Sequence, residues 1–328
     1  MLFSIVVPVY NRPDEVADLL ESLERQTDQG FEVVIVEDGS TIRCEEQTAR
    51  AACPSQYFYK ENEGRSPARN YGMDRARGDF FVFVDSDCIL PPDYIASLRR
   101  ALEESGARFF GGPDAAHPSF TPTQKGINFA MTSFLTTGGI RGSRRSMEKF
   151  VPRTFNMGFS REVYERVGGF REMFSEDIDM STRIRQAGYE ARLFPEVKVY
   201  HKRRGNLLKF WRQVHVFGMS RITLQLMYPG SLKAVHCLPA LMTLCGIATI
   251  VVAFWWPWIL LFPAFYLLAL FIDAWRQTGS PGLACRGVAA AIVQILGYGT
   301  GFIRAYVWKI LLRHGRDPEQ EIEMRKGK

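Results

Sequence analysis

The sequence predicts an α/β protein, a largely parallel sheet with flanking helices, followed by a C-terminal region of membrane-seeking helices. Three observations carry this. Strand-like runs alternate with helical patterns through the first part of the chain. Polar and acidic residues gather where those strand-like runs end. From Val235 onward the mixed pattern gives way to long apolar runs rich in Trp, Phe and Leu.

In chain order, the first strand signal is Phe3–Val7, β-branched and closed by Pro8. A helix follows over Glu15–Gln26, with Val16, Leu19, Leu20 and Leu23 on one face. Further strands are expected at Glu32–Glu37, Tyr57–Tyr59 and Phe80–Val84, with a helix at Ser66–Arg75 after Gly64. Thr137–Arg153 reads as a long Gly/Ser/Arg-rich loop. Phe155–Ser160, a short helix at Arg161–Val167 and a longer one from Glu176 to Ala187, stopped by Gly188, complete the mixed region. In a doubly wound sheet, ligands bind outside the carboxyl ends of the strands. Those ends read Pro8-Val9-Tyr10-Asn11, Glu37-Asp38-Gly39-Ser40, Asn62-Glu63-Gly64-Arg65 and Asp85-Ser86-Asp87.

The 328 residues allow two domains, and 46% hydrophobic with 23% charged residues is a globular composition. A net charge of +6 could suit nucleic acid, but the basic clusters lie near the apolar tail or in the Gly/Ser-rich loop, where an anionic membrane face or phosphates suit them better. The six cysteines show neither zinc spacing nor a disulfide framework, which fits a reducing compartment. MLFSIVVPVYNR enters a strand-like run without a basic start, so it is not read as a signal peptide, and the catalytic region is expected in the cytoplasm.

The stretch FVFVDSDCILPP places Asp85 and Asp87 one residue apart at the end of a core strand. Each carboxylate repels the other. A hard divalent cation, Mn²⁺ or Mg²⁺, would relieve that repulsion and share its remaining positions with phosphate oxygens. A turn cap before Pro91 and Pro92 is the plainer use of such a pair.

The segments SIVVPVYNR, VIVEDGS and NEGRSPARNYGMDRARGDFFVFVDSD resemble the inverting glycosyltransferase family 2, whose catalytic domain has the GT-A fold. The resemblance covers roughly residues 3 to 220. It implies transfer of a sugar from a nucleotide donor, UDP- or GDP-linked, with inversion. It also implies that Pro8, Tyr10 and Asn11 hold the nucleotide base, that Asp38 bonds the base with Arg69 nearby, and that Asp85, Ser86 and Asp87 contact the ribose and hold the metal over the diphosphate. FSEDIDMSTRIRQAGYEARLFPE matches the family's ED motif, making Asp177 the expected general base, Glu176 an acceptor-side residue and Asp179 the weaker candidate. His201, in VYHK, matches a position where some relatives place a histidine near the metal, so a neutral imidazole is expected as a third ligand. The QxxRW string of processive members is absent from FWRQVHVFGMSR, which favours one sugar per encounter over polymer extrusion.

The expected domains are residues 1–228, with a nucleotide-sugar-binding half (1–112) and an acceptor half (113–228), then a membrane-associated region at 229–328. Val235–Trp256 is long enough to cross a bilayer, Pro257–Ile272 is shorter, and Gly287–Ile303 is interrupted by Gln294 and glycines. The basic residues around the segments favour two crossings and a re-entrant or interfacial third segment. The expectation is a glycosyltransferase on the cytoplasmic face of the inner (plasma) membrane, acting on a glycan, a lipid-linked glycan or a lipid phosphate. A sugar nucleotidyltransferase would be expected to show a Gly-rich pyrophosphate loop with a lysine near the N-terminus, and none is visible. A non-catalytic membrane adaptor is disfavoured by the intact acids.

Overall fold

The structure, a computed structural model, describes residues 1–138 and 150–314. The expected basic loop inside 137–153 and the basic C-terminus lie largely outside the described residues. The chain forms two compact units. The first contains residues 1–117 and 150–202, the second 118–138 and 203–314.

The first unit begins with β1 (Phe3–Val9), α1 (Pro13–Glu24) and β2 (Phe31–Asp38). Pro13 and the acids Asp14 and Glu15 fill the first turn of α1, where a missing N–H costs nothing and negative charge suits the helix dipole. Then come α2 (Glu45–Arg50), β3 (Ser55–Lys60), α3 (Arg65–Arg75), β4 (Phe80–Phe83), β5 (Cys88–Ile89), α4 (Tyr94–Ser105), β6 (Phe109–Gly111) and β7 (Asp114–Ala115). The next elements, α5 (Pro122–Thr132) and α6 (Phe134–Thr137), belong to the second unit. The first unit resumes with β8 (Met157–Ser160), α7 (Arg161–Val167), α8 (Glu176–Gln186), β9 (Ala191–Leu193) and β10 (Val199–His201).

Seven strands form the main sheet in the order β3-β2-β1-β4-β8-β6-β9. The first four run parallel, and β8 is antiparallel to both neighbours. Every residue of β2 is buried, as expected for a strand covered on both faces. Successive side chains of β1 enter opposite layers: Ile5 and Val7 pack with Leu19 and Leu23 of α1, while Val6 packs with Ala68 and Met73 of α3. The sheet therefore has apolar layers on both sides, and the parallel strands aim their carboxyl ends at one edge. A small second sheet, β5-β10-β7, carries His201 back to the residues just after β4.

The second unit is helical. Its later elements are α9 (Leu207–Met227), α10 (Ala234–Val252), α11 (Leu261–Thr278) and α12 (Pro281–Tyr306). Three segments are long and apolar enough to cross a membrane: Ala234–Val252, Pro257–Thr278 and Pro281–Leu311. The third is unbroken, where the sequence suggested interruption. Its glycines are packing faces rather than breaks. A Cβ on Gly301 would lie 2.0 Å from the His215 carbonyl oxygen of α9, and one on Gly299 would lie 2.1 Å from Thr243 Oγ1 of α10. Small residues let helix backbones approach closely, the usual basis of helix association in lipid. Accordingly 44% of an apolar 18-residue stretch of the third segment is buried against protein, against 17% and 11% of the corresponding stretches of the other two. At its N-terminal end α12 meets α5, where Gly287 faces the ring of Phe129.

Candidate active site

The parallel strands deliver β1–α1, β2–α2, β3–α3 and β4–β5 connections to the same edge of the sheet. The first two are tied together by Asn11, whose left-handed backbone (φ 53°) turns its side chain so that Oδ1 accepts from Thr41 N, Thr41 Oγ1 and Ile42 N. The Asn11 N–H donates to Ser40 Oγ at 2.8 Å. Asp38 ties the second connection to the third: its carboxylate accepts from Lys60 Nζ, Glu63 N and Gly64 N. Gly64 adopts φ 104°, and a Cβ there would meet the Glu172 carboxylate at 2.9 Å, so this loop needs glycine twice over. Pro8 lies within β1, and Tyr10 stands beside these loops, 53% exposed.

Asp85 and Asp87 follow β4. Arg12 Nη1 donates to Asp87 Oδ2 at 2.7 Å. His201 Nε2 lies 3.1 Å from Asp87 Oδ1 and 3.8 Å from Asp85 Oδ2. Its ring stacks on Phe155, centroids 5.1 Å apart. Burial works against the Asp87 charge, but His201 and Arg12 outweigh it and hold the carboxyl well below its ordinary range. Ser86 is buried between the two acids.

These atoms fit a divalent cation. Two carboxylates and an imidazole nitrogen converge, and a donor set of oxygens with one nitrogen suits Mn²⁺ or Mg²⁺ better than a soft metal. Cys88 also comes close, with one ligand atom each from Asp87, Cys88 and His201 within 4.8 Å of one another. Burial, reinforced by Asp87 and Asp85, pushes the Cys88 thiol far up, so it stays protonated and faces the Phe155 carbonyl.

A chain of ion pairs continues from Asp85. Arg69, nearly fully buried, donates to Asp85 Oδ1 and to Glu176 Oε1, each at 3.0 Å. Arg65 Nη2 reaches Glu176 Oε2 at 2.6 Å. Burial presses the Glu176 carboxyl upward against the pull of both arginines. Asp177 is adjacent, its Oδ1 accepting from Ile178 N at 2.8 Å and its Oδ2 lying 3.3 Å from Arg153 Nη1. Burial opposes its charge too, yet Arg153 and Arg65 prevail and lower its pKa. Asp179 differs: its side chain has no solvent contact and bonds Arg183 at 2.9 Å, with Arg171 at 3.5 Å. Among the described residues outside glycine, left-handed backbone occurs at Asn11, Ser175 and Arg313, and the first two border this site.

Thus Asp85, Asp87 and His201 come together, and Arg69 links them to Glu176. Asp38 and Asn11 sit at the same edge with their oxygens engaged by backbone and Lys60. Sequence reasoning missed Arg12, Arg65, Arg153 and Phe155, and also Asp114, whose Oδ2 lies 3.8 Å from His201 Nδ1. Arg12 directly follows Asn11 and Arg65 opens α3, so both were within reach; nothing in the sequence links Asp114, Arg153 or Phe155 to His201 or Asp177.

The glycosyl transferase family 2 model matches residues 4–168, half of the chain. The protein named "Uncharacterized glycosyltransferase" of Rickettsia felis is 37% identical over 108 residues, 32% of this chain and 18% of that protein. "Uncharacterized glycosyltransferase EpsJ" of Bacillus subtilis is 29% identical over 190 residues, covering 54% of this chain and 52% of EpsJ. The chain thus spans about a fifth to a half of the length of these relatives. Among solved structures, the mannosyltransferase PcManGT from Pyrobaculum calidifontis, in complex with GDP-Man and Mn²⁺, superposes with a TM-score of 0.56 at 20% identity, over 95% of this chain and 88% of that one. Sheet order and overlap make the fold GT-A, and the extent of the family match fixes the kinship: the chain belongs to glycosyl transferase family 2.

Proposed function

We propose that this glycosyltransferase moves a single sugar, with inversion, from a UDP- or GDP-linked donor to a hydroxyl or lipid-phosphate acceptor at the cytoplasmic face of a membrane. The observation that carries the reading is the convergence of Asp85, Asp87 and His201 Nε2 at the strand ends. The overlap with a GDP-Man and Mn²⁺ complex supports a nucleotide-sugar donor and a divalent cation. Three long apolar helices support a membrane setting.

In this reading Asp85, Asp87 and His201 hold Mn²⁺ or Mg²⁺. The cation, when bound, neutralises charge on the departing nucleoside diphosphate. Tyr10, an exposed ring beside the β1 end, stacks on the base. Pro8 and Ser86 shape the nucleotide pocket from the backbone side, while Asn11 and Asp38 hold the loops that frame it. Arg69 sets the orientation of Asp85 through its two-way pairing with Glu176, which lies on the acceptor side.

Asp177 takes the proton of a hydroxyl acceptor as its oxygen bonds the anomeric carbon and the bond from that carbon to the nucleoside diphosphate breaks. Its lowered pKa keeps it ionised at neutral pH, and 16% of its side chain reaches solvent, whereas Asp179 has none. Arg153 occupies one of its oxygens, so an incoming hydroxyl must displace or share that contact. The reading is tested by incubating the full chain in detergent with a panel of nucleotide sugars, with and without Mn²⁺, and scoring nucleoside diphosphate release. Release that ignores Mn²⁺ and chelator refutes the metal assignment, and no release with any donor in the presence of lipid-phosphate and glycan acceptors refutes the donor class.

A further inference from the structure

We infer that Asp114 is a positioning residue for His201, fixing which imidazole nitrogen faces Asp85 and Asp87. This rests on the metal assignment proposed above. Asp114 opens β7, which runs parallel to β10 with Asp114 opposite Val199 and Ala115 opposite Tyr200. Side chains alternate along a strand, so His201, two residues beyond Val199, shares the face of Val199 and Asp114. The imidazole is consequently bracketed by acids. Nε2 faces the Asp85 and Asp87 carboxylates at 3.8 and 3.1 Å, and Nδ1 faces Asp114 Oδ2 at 3.8 Å. Phe155, stacked on the ring at an interplanar angle of 25°, restricts it to motion in its own plane.

Burying a carboxylate is costly unless a donor or cation answers it. The Asp114 side chain is fully enclosed, with no measurable solvent contact. A neutral imidazole offers one N–H and one lone pair, and the group that accepts the N–H decides which nitrogen is free to ligate. With a cation held between the two strand-end acids, Asp114 keeps the N–H on Nδ1 and leaves the Nε2 lone pair for the metal. The present 3.8 Å is longer than a hydrogen bond, so the inference requires the ring to turn in its own plane toward Asp114 when the cation binds. Asp114 touches neither donor nor acceptor in this account; it acts through His201.

The test uses the full chain in detergent and Mn²⁺ alone, with free Mn²⁺ followed by its electron paramagnetic resonance signal. Wild type is compared with Asp87→Asn, His201→Ala, Asp114→Asn, and the double variant Asp114→Asn with His201→Ala. Loss of an outer-shell partner to a ligating histidine weakens metal binding by about 10–100-fold, and Asp114→Asn is expected in that range. The double variant is expected to bind no more weakly than His201→Ala, because the effect passes through the ring. Asp114→Glu, which keeps the carboxylate, is expected to recover part of the affinity. Should Asp114→Asn fail to melt cooperatively, Asp114→Ser is read in its place. Additive losses in the double variant, or wild-type affinity in the neutral variant while Asp87→Asn binds weakly, overturn the role of Asp114 and leave the metal assignment standing. Unchanged affinity in Asp87→Asn itself removes the metal assignment and the inference with it.

Discussion

Replacing Glu176 by leucine should destabilise the catalytic unit far more than replacing its partner Arg65. Glu176 and Arg69 each keep about 2% of their side chains in solvent, whereas Arg65 keeps 53%. Without Glu176, Arg65 returns to water at little cost, but Arg69 stays enclosed with Asp85 as its remaining partner. Breaking a buried pair costs about 3–5 kcal/mol, and the surviving Asp85 contact places this case near 3 kcal/mol. For a unit of this size that lowers the melting temperature by about 6–12 °C. Arg65→Leu removes a largely exposed pairing worth at most about 1 kcal/mol, hence about 4 °C or less. The probe must report on the correct unit. All six tryptophans lie between Trp211 and Trp308, so their fluorescence follows the helical unit only. Cys44, Cys53 and Cys88 are buried in the catalytic unit, whereas Cys237, Cys245 and Cys285 are partly or fully exposed, so the heat-dependent phase of labelling with a thiol-reactive fluorophore reads the melt of interest. Equal losses in the two variants, or a Glu176→Leu melt within about 2 °C of wild type, would refute the reasoning about enclosure.

Asp87→Asn should abolish the Mn²⁺-dependent part of nucleotide affinity in a calorimetric titration, and unchanged affinity would contradict the proposed ligand role. Asp177→Asn should lower turnover by about 10²–10⁴-fold with donor affinity preserved, measured in one preparation; a fall in melting temperature with turnover intact would assign the base elsewhere. Because Arg153 pulls the Asp177 pKa down against burial, Arg153→Ala should raise it, so the acidic limb of the turnover profile moves to higher pH. In wild type the lowered pKa favours the ionised form, and the stability this contributes is present above the unfolded value of about 3.9 and lost as pH falls through the folded one. Gly301→Leu should separate α12 from α9 and lower the tryptophan-reported melt, since its first side-chain carbon already meets the His215 carbonyl at 2.0 Å.

The four parallel strands were legible because each is a short β-branched or aromatic run ended by Pro, Gly, Asn or Asp, and their order of appearance fits a doubly wound sheet. Sequence placed Asp85, Asp87, His201 and Glu176 as candidates, and the fold brings them together through Arg69 and the β5–β10 pairing. The short strands β5, β7 and β9 left no trace, since two or three residues are too few for a period to show. Arg153 stayed hidden for a different reason: a lone arginine at the end of a polar loop carries no pattern, and only tertiary structure sets it against Asp177. Gly297, Gly299 and Gly301 were misread as breaks because helix propensity counts glycine as a cost, while a neighbouring helix turns the same absence of a side chain into contact.

The placement of α5 and α6 has a consequence for biosynthesis. These helices emerge from the ribosome between two parts of the catalytic sheet, yet the apolar face of α5, with Ile127, Phe129 and Met131, is completed by α12. That partner is made about 150 residues later, which at typical elongation rates is roughly 7–30 seconds. During that interval β8, β9 and β10 are synthesised and the catalytic sheet can close while α5 still waits with its greasy side uncovered. A ribosome stalled before Pro281 should therefore hold a nascent chain whose first unit resists protease while the 118–138 segment is cut, and release of the stall should protect both together.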